Sequence, residues 1–425
     1  MARPIGRGGV IGTAKYLFGL SVGLIALLCF AAGAVIDRRP DVPRAPPPDA
    51  QEVRAALGFG QMALILMGTS SPVSFTLPQA WLDGVHSLVS HGKDNLAMDG
   101  RIDGRGAVFR VSKRLTRHGW LNLAFRLEET SAGGAPRLIL YAGGWRAPEW
   151  LTAALLRMGL PLLGGSQELE SLIPAFRAED QTVQMTARVP RALVGGLQAV
   201  LGSGEGGGVD LELVRAIYGE LLAGAVLEPE PDYARIVRRA AMQVDSAEGL
   251  KAALVALTMF TDGPRVLRLA GDRTKTPPCA LTAFATRLHG RADTPKHWVL
   301  SAALTMFMDE KTGRAIGLWK ELDDSLPGGS GFSFVDLAAD MAGVRIGKAA
   351  RDGTDIDKVI AGLRSGRPEI ILPSAVLQLP EALPHHQWKR RYGPLEERRM
   401  MRQERLIGNL LDRSPLYSRL PPSRP

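Results

Sequence analysis

Between Asp293 and Gly347 the chain concentrates the side chains best suited to acid–base or metal chemistry. Thr294-Pro295 reads as the cap and first residue of a helix, which puts His297 in its first turn and Ser301 one turn on. Lys320-Glu321-Leu322-Asp323-Asp324 follows, then a Gly328-Gly329-Ser330-Gly331 loop. A second helix then carries Asp336 and Asp340, four residues apart and so on one face. An imidazole and carboxylates converging from facing helices can hold a divalent cation or act as general base. The candidates for catalytic or metal-binding roles are therefore His297, Glu321, Asp336 and Asp340.

A structural reading competes with the chemical one. Ser333 and Asp336 have the spacing of a capping box, and Lys320 beside Glu321 reads as a solvated face. Ala339, Gly343 and Gly347 form a stripe of small residues on the second helix, the pattern of two helices in close approach. Other chemistries are excluded outright. Cys29 and Cys279 are the only cysteines, so no Cys-x-x-Cys zinc site exists. No Gly-x-Ser-x-Gly elbow, P-loop, His-Glu-x-x-His or dinucleotide fingerprint is present. The sequence identifies no cofactor.

The elements that must position these residues begin at a membrane. Tyr16 to Ile36 contains no charge, and as a helix it would span roughly 30 Å, the thickness of a bilayer's hydrocarbon core. The expectation is an N-terminal transmembrane helix, with residues 1–15 cytoplasmic and the body exported, in a bacterium to the periplasm. Ala32-Gly33-Ala34 fits a signal-peptidase site, but the apolar run continues past it, which favours an uncleaved anchor.

Residues 37–50, with the run Pro40 to Pro48, read as a stiff extended spacer. Residues 51–201 read as an α+β domain with an antiparallel sheet. Strand alternation is clear at Ala107–Leu115, Trp120–Leu127, Arg137–Tyr141 and Val183–Val189, and helices are expected at Pro78–Leu88 and Pro148–Met158. Gly202–Gly208 reads as a flexible linker. Residues 209–365 read as an all-α domain, with helices near 209–226, 234–244, 247–260, 295–308 and 334–348. Residues 366–425 read as a basic, proline-containing tail.

The net charge of +9 includes that tail, where about 394–412 has the pattern of an amphipathic helix. Lys389, Arg390, Arg391, Arg398 and Arg399 are candidates for contact with anionic headgroups. Nucleic acid is not expected as a partner of an exported domain.

The string Lys296-His297-Trp298…Ser301-Ala302, Gly317-Leu318-Trp319-Lys320-Glu321…Asp324, Gly329-Ser330-Gly331-Phe332-Ser333-Phe334…Asp336-Leu337…Ala339-Asp340…Gly343 resembles the YfiM-like family of bacterial envelope lipoproteins. Trp298 stands where the pattern has Phe. The resemblance covers about 293–350 and implies a helical fold and an envelope location, without a reaction. More loosely, Phe75 to Leu82 and the amphipathic strands after it look similar to membrane-tethered domains whose curved sheet cups a lipid. That makes Leu121, Leu123 and Phe125 candidate ligand contacts.

Two functions follow as expectations. The first is a non-enzymatic binding or scaffolding role at the inner membrane, for lipid or an envelope protein. The second is an envelope hydrolase or metal-dependent enzyme built on the His/Glu/Asp cluster.

Overall fold

The computed structural model describes residues 36–46, 48–68, 71–92, 95–116, 119–130, 134–142, 144–154, 169–188, 209–225, 231–263, 283–307, 310–393, 395, 397–418 and 420. Tyr16–Val35, Cys29, Cys279 and the Gly202–Gly208 linker lie outside that set. Ile36, expected at the end of the transmembrane helix, is instead in a short strand. No helix among the described residues is long and apolar enough to cross a membrane.

The chain enters through β1 (Ile36–Asp37), α1 (Ala50–Gly68), β2 (Val73–Pro78) and α2 (Gln79–Gly92). Then β3 (Leu96–Asp103), β4 (Gly106–Thr116), β5 (Gly119–Glu128), β6 (Arg137–Ala142) and β7 (Trp145–Arg146) form an antiparallel meander, with β1 added along β5. The short helix α3 (Leu169–Leu172) precedes β8 (Ala175–Glu179) and β9 (Thr182–Ala187), and β9 pairs antiparallel with both β2 and β8. The alternation read from the sequence is what builds this fold. Side chains of period two on β4 and β5 put Ala107, Phe109, Phe125 and Leu127 on one face, over a core that includes Leu77, Leu82, Ile102, Phe176 and Val183.

The proline-rich segment is not a free spacer. It lies across the other, polar face of the meander, where the Asp41 and Val42 N–H groups donate to Ser112 Oγ at 3.1 Å and Asp41 N–H also donates to Asn122 Oδ1. Val42 is completely buried there. Sequence alone could not show this, because prolines that bar regular structure do not bar packing.

The second half is helical as expected: α4 (Leu211–Ala225), α5 (Tyr233–Ala241), α6 (Ala247–Asp262), α7 (Thr294–Phe307), α8 (Glu310–Asp324), α9 (Phe334–Asp352) and α10 (Ile356–Arg364). Beyond these come α11 (Pro368–Ile371), a 3-10 turn (Ser374–Gln378), α12 (His385–Tyr392) and α13 (Arg398–Leu411). α9 runs through the middle and is buried on nearly every side. Its small-residue stripe does the packing proposed for it. A Cβ at Gly343 or Gly347 would fall on the carbonyl oxygens of Trp298 and Ala302, so α7 and α9 cross at backbone contact.

Residues 366–420 are not a detached tail. Leu372, Val376, Trp388, Met400, Ile407, Leu411 and Tyr417 are buried in the same core as α6, α7 and α9. Three of its prolines start elements: Pro368 opens α11, and Pro373 and Pro384 cap the next two segments. The amphipathic helix expected near 394–412 is α13, and its apolar face is spent on this core. Lys389, Arg390, Arg391, Arg398 and Arg399 remain exposed. The two halves also share material. Ala50, Val53 and Ala56 of α1 and Leu88 of α2 belong to the helical core, and Arg54 pairs with Asp323 of α8 at 2.6 Å.

Candidate functional site

The crossing of α7 and α9 brings together the residues singled out in the sequence. Asp293 starts α7: its backbone carbonyl accepts from Lys296 and His297, and its carboxylate accepts from the Thr294 N–H. The cap is thus one residue earlier than expected. One turn in, His297 Nδ1 lies 3.2 Å from both carboxylate oxygens of Asp340 on α9. Ser301, a turn further along α7, donates to Asp340 Oδ1 at 2.7 Å.

α8 supplies the third wall. Gly317 leaves room for Asp340, since a Cβ there would sit 2.7 Å from Asp340 Oδ2. One turn later Glu321 points inward, with Oε1 3.8 Å from His297 Nδ1. All three residues are buried, and one donor atom from each lies within 4.8 Å of the others.

The hydrogen bonds of Glu321 are unequal. Oε2 accepts the Ser333 N–H at 2.9 Å, whereas Oε1 is buried and accepts none. This alters the capping box expected at the start of α9. Ser333 Oγ does accept from the Asp336 N–H, at 3.1 Å. The reciprocal bond, from the Ser333 N–H, goes to Glu321 rather than Asp336. The Asp336 carboxylate keeps a side-chain interaction with Ser333 but not this bond, and its Oδ1 is a second buried carboxylate oxygen of the cluster without a hydrogen bond. Arg291 stands 3.6 Å from Asp336 Oδ1 while also pairing with Asp293 and Glu381. That arginine was not singled out in the sequence, and only the fold brings it to α9.

Electrostatics follow from burial and crowding. Burial alone would lower the basicity of His297, but Asp340, Asp336 and Glu321 outweigh it and raise its pKa to about 9. Burial pushes Glu321 up to about 8, with Asp340 and Asp336 adding to the rise against the opposing effect of His297. Asp336 is raised as well, first by burial. A charged imidazolium and a proton held on Glu321 are therefore the expected state at neutral pH without a cation.

The donor spacing also suits a metal. With bonds of about 2.1 Å, tetrahedral coordination holds donors about 3.4 Å apart. The two separations from His297 Nδ1, 3.2 and 3.8 Å, bracket that value, and the third lies within 4.8 Å. The set is one imidazole and two carboxylates without a thiolate, which suits manganese, iron or zinc better than soft ions.

The other expected sites fare differently. Leu121 and Phe125 are half-buried and Leu123 is exposed, with Phe125 stacked on Phe109 at 5.0 Å between centroids. A cavity of about 280 Å³ does touch this sheet, but on the opposite face, against Asp41, Arg110, Asn122, Arg126 and Tyr141.

Fold and site define an α+β protein whose helical half encloses a buried imidazole–carboxylate centre. Compared with known protein families, with curated proteins and with solved structures, the chain matches none.

Proposed function

We propose that this chain is a cell-envelope protein, anchored in the inner membrane through the uncharged run that precedes Ile36, with its body in the periplasm. In this reading the helical half binds a divalent transition-metal ion between His297, Glu321 and Asp340 and uses it for hydrolysis. The observation that carries the reading is Glu321 Oε1. It is a carboxylate oxygen buried beside an imidazole and a second carboxylate, with no donor of its own. Leaving such an oxygen unmet costs about 1–3 kcal/mol, and well-packed apolar residues would serve a purely structural knot at least as well. A cation supplies what the protein withholds.

Three protein ligands leave a coordination position for water, the arrangement of catalytic rather than structural sites. A bound ion would make that water acidic near neutral pH. In this reading Asp336, one turn before Asp340 on α9 and raised in pKa, is assigned the role of taking its proton. Arg291 at its flank would hold Asp336 in position. The uncharged run that begins at Tyr16 supports the address.

The test is elemental analysis of the full-length protein, extracted gently from membranes without chelators. One equivalent of manganese, iron or zinc is expected in the wild type and none in His297→Ala or Asp340→Ala. Wild-type protein that carries no metal, and that gains no thermal stability from any of the three ions, would end the proposal.

A further inference from the structure

The apolar face of the meander is only partly covered. Its far end, at Ala107, Phe109, Phe125 and Leu127, forms the sheet core. Its near end runs out from under that core and stays open. Registers place the open residues on one face. Ile36 is opposite Leu121, Leu123 follows two residues later, and Leu123, Ala142 and Trp145 lie in one row across β5, β6 and β7. Ile36, Leu123 and Trp145 keep 40%, 42% and 53% of their surface exposed. Trp150, just beyond β7, is 71% exposed. Large apolar side chains gathered this way mark an interaction surface rather than chance exposure.

What covers the patch follows from where the chain comes in. The uncharged run from Tyr16 ends at Ile36, and Ile36 is hydrogen-bonded into the sheet beside Leu121. At about 3.3 Å per residue, Leu123 is only about 7 Å along β5 from the partner of Ile36. If the run is embedded, no length of linker remains to lift this end of the sheet away. The segment first read as a spacer is folded down onto the sheet instead. Lys113, an exposed cation, lies on this face opposite Leu121, and the exposed Arg38 follows β1. Tryptophan beside cations is the composition of a protein surface at the headgroup level of an anionic bilayer.

We infer that the open end of the sheet, at Ile36, Leu123 and Trp145, rests in the interfacial layer of the membrane and fixes how the body stands on it. The inference depends on the anchoring proposed above, and is independent of the metal centre.

The test uses the full-length chain with Cys29→Ser and Cys279→Ser, reconstituted in nanodiscs of phosphatidylethanolamine and phosphatidylglycerol. An environment-sensitive fluorophore is attached in turn at Leu123→Cys, Trp145→Cys, Ala26→Cys inside the run, and Met242→Cys on the exposed helical surface. Lipids bearing a nitroxide near the headgroup serve as quencher. At least twofold quenching is expected at 123 and 145, and none at 242. Quenching at 26 by nitroxides deep in the bilayer, with 123 and 145 no different from 242, would overturn this inference and leave the anchor standing. Absence of quenching at 26 would remove the anchor and this inference with it. Probes at 123 and 145 that are shielded only as protein concentration rises would assign the face to a second copy of the chain, and also overturn the inference.

Discussion

Glu321→Gln and Asp340→Asn look like equivalent edits, each replacing a buried carboxylate by its amide, yet the metal-free protein should feel them very differently. His297 is protonated below a pKa of about 9, and Asp340 is its counter-charge at 3.2 Å. The elevation of His297 over its ordinary 6.5 corresponds to about 3 kcal/mol of favourable interaction. Asparagine at 340 removes the largest contributor to that elevation and turns an amide toward an N–H donor. A loss of about 3 kcal/mol is expected at pH 7, at the low end of the about 3–5 kcal/mol for breaking a buried pair. Glu321, with a pKa of about 8, is mostly a neutral acid at that pH. Glutamine has its shape and charge state, and its carbonyl can still accept from Ser333. A change within about 1 kcal/mol is expected. Urea unfolding at pH 7 with excess EDTA, followed by tryptophan fluorescence, measures both. Equal losses in the two variants would refute the assignment of charge within the cluster.

The sign of the pH dependence is fixed by the same groups. His297 and Glu321 both hold protons more tightly folded than unfolded, so their contribution is present at low pH and lost as pH rises. Stability of the metal-free protein should fall from about pH 5 through about pH 9, and chelator titration of unfolding midpoints would show it. With metal the trend should reverse over the lower part of that window, because the ligands must lose their protons to bind. Gly343→Ala should cost about 3 kcal/mol or more, since the new methyl meets the Trp298 backbone oxygen rather than a side chain that can yield; calorimetry of the purified variant would show no loss if the crossing were looser. Tyr417→Phe leaves the buried Trp298 Nε1–H without the hydroxyl 2.9 Å away and should cost about 1–3 kcal/mol in the same assay.

Much of this architecture can be read from the chain, and what cannot has physical causes. β5 and β9 are legible because apolar side chains alternate with polar ones along each strand, so the code repeats every second residue. α4, α6 and α7 are legible because apolar residues dominate them, enough to carry the pattern past Gly219, Gly224 and Gly249. α8 is not, because Gly313 and Gly317 interrupt it and its outer surface is charged. Those glycines are where Thr305 and Asp340 press against the helix, so the residues that weaken the local signal are the ones the packing requires. α11 and α12 are hidden by their prolines. An amphipathic face such as that of α13 reads the same whether a bilayer or a protein core takes it up. For the centre, the spacing of Asp336 and Asp340 is local and visible. The meeting of Glu321 with His297, and the diversion of the Ser333 N–H from Asp336 to Glu321, exist only once three helices have packed.

The bond between Trp298 and Tyr417 sets an order in time. Trp298 adjoins His297, and its indole N–H is satisfied only by a hydroxyl that arrives more than a hundred residues later and is itself held by the Ile371 carbonyl at 2.5 Å. A chain emerging from N- to C-terminus would therefore expose α7 without its final partner until α13 and Tyr417 had followed. A product cut short before Tyr417 would carry all the candidate ligands while leaving the Trp298 indole N–H without this partner.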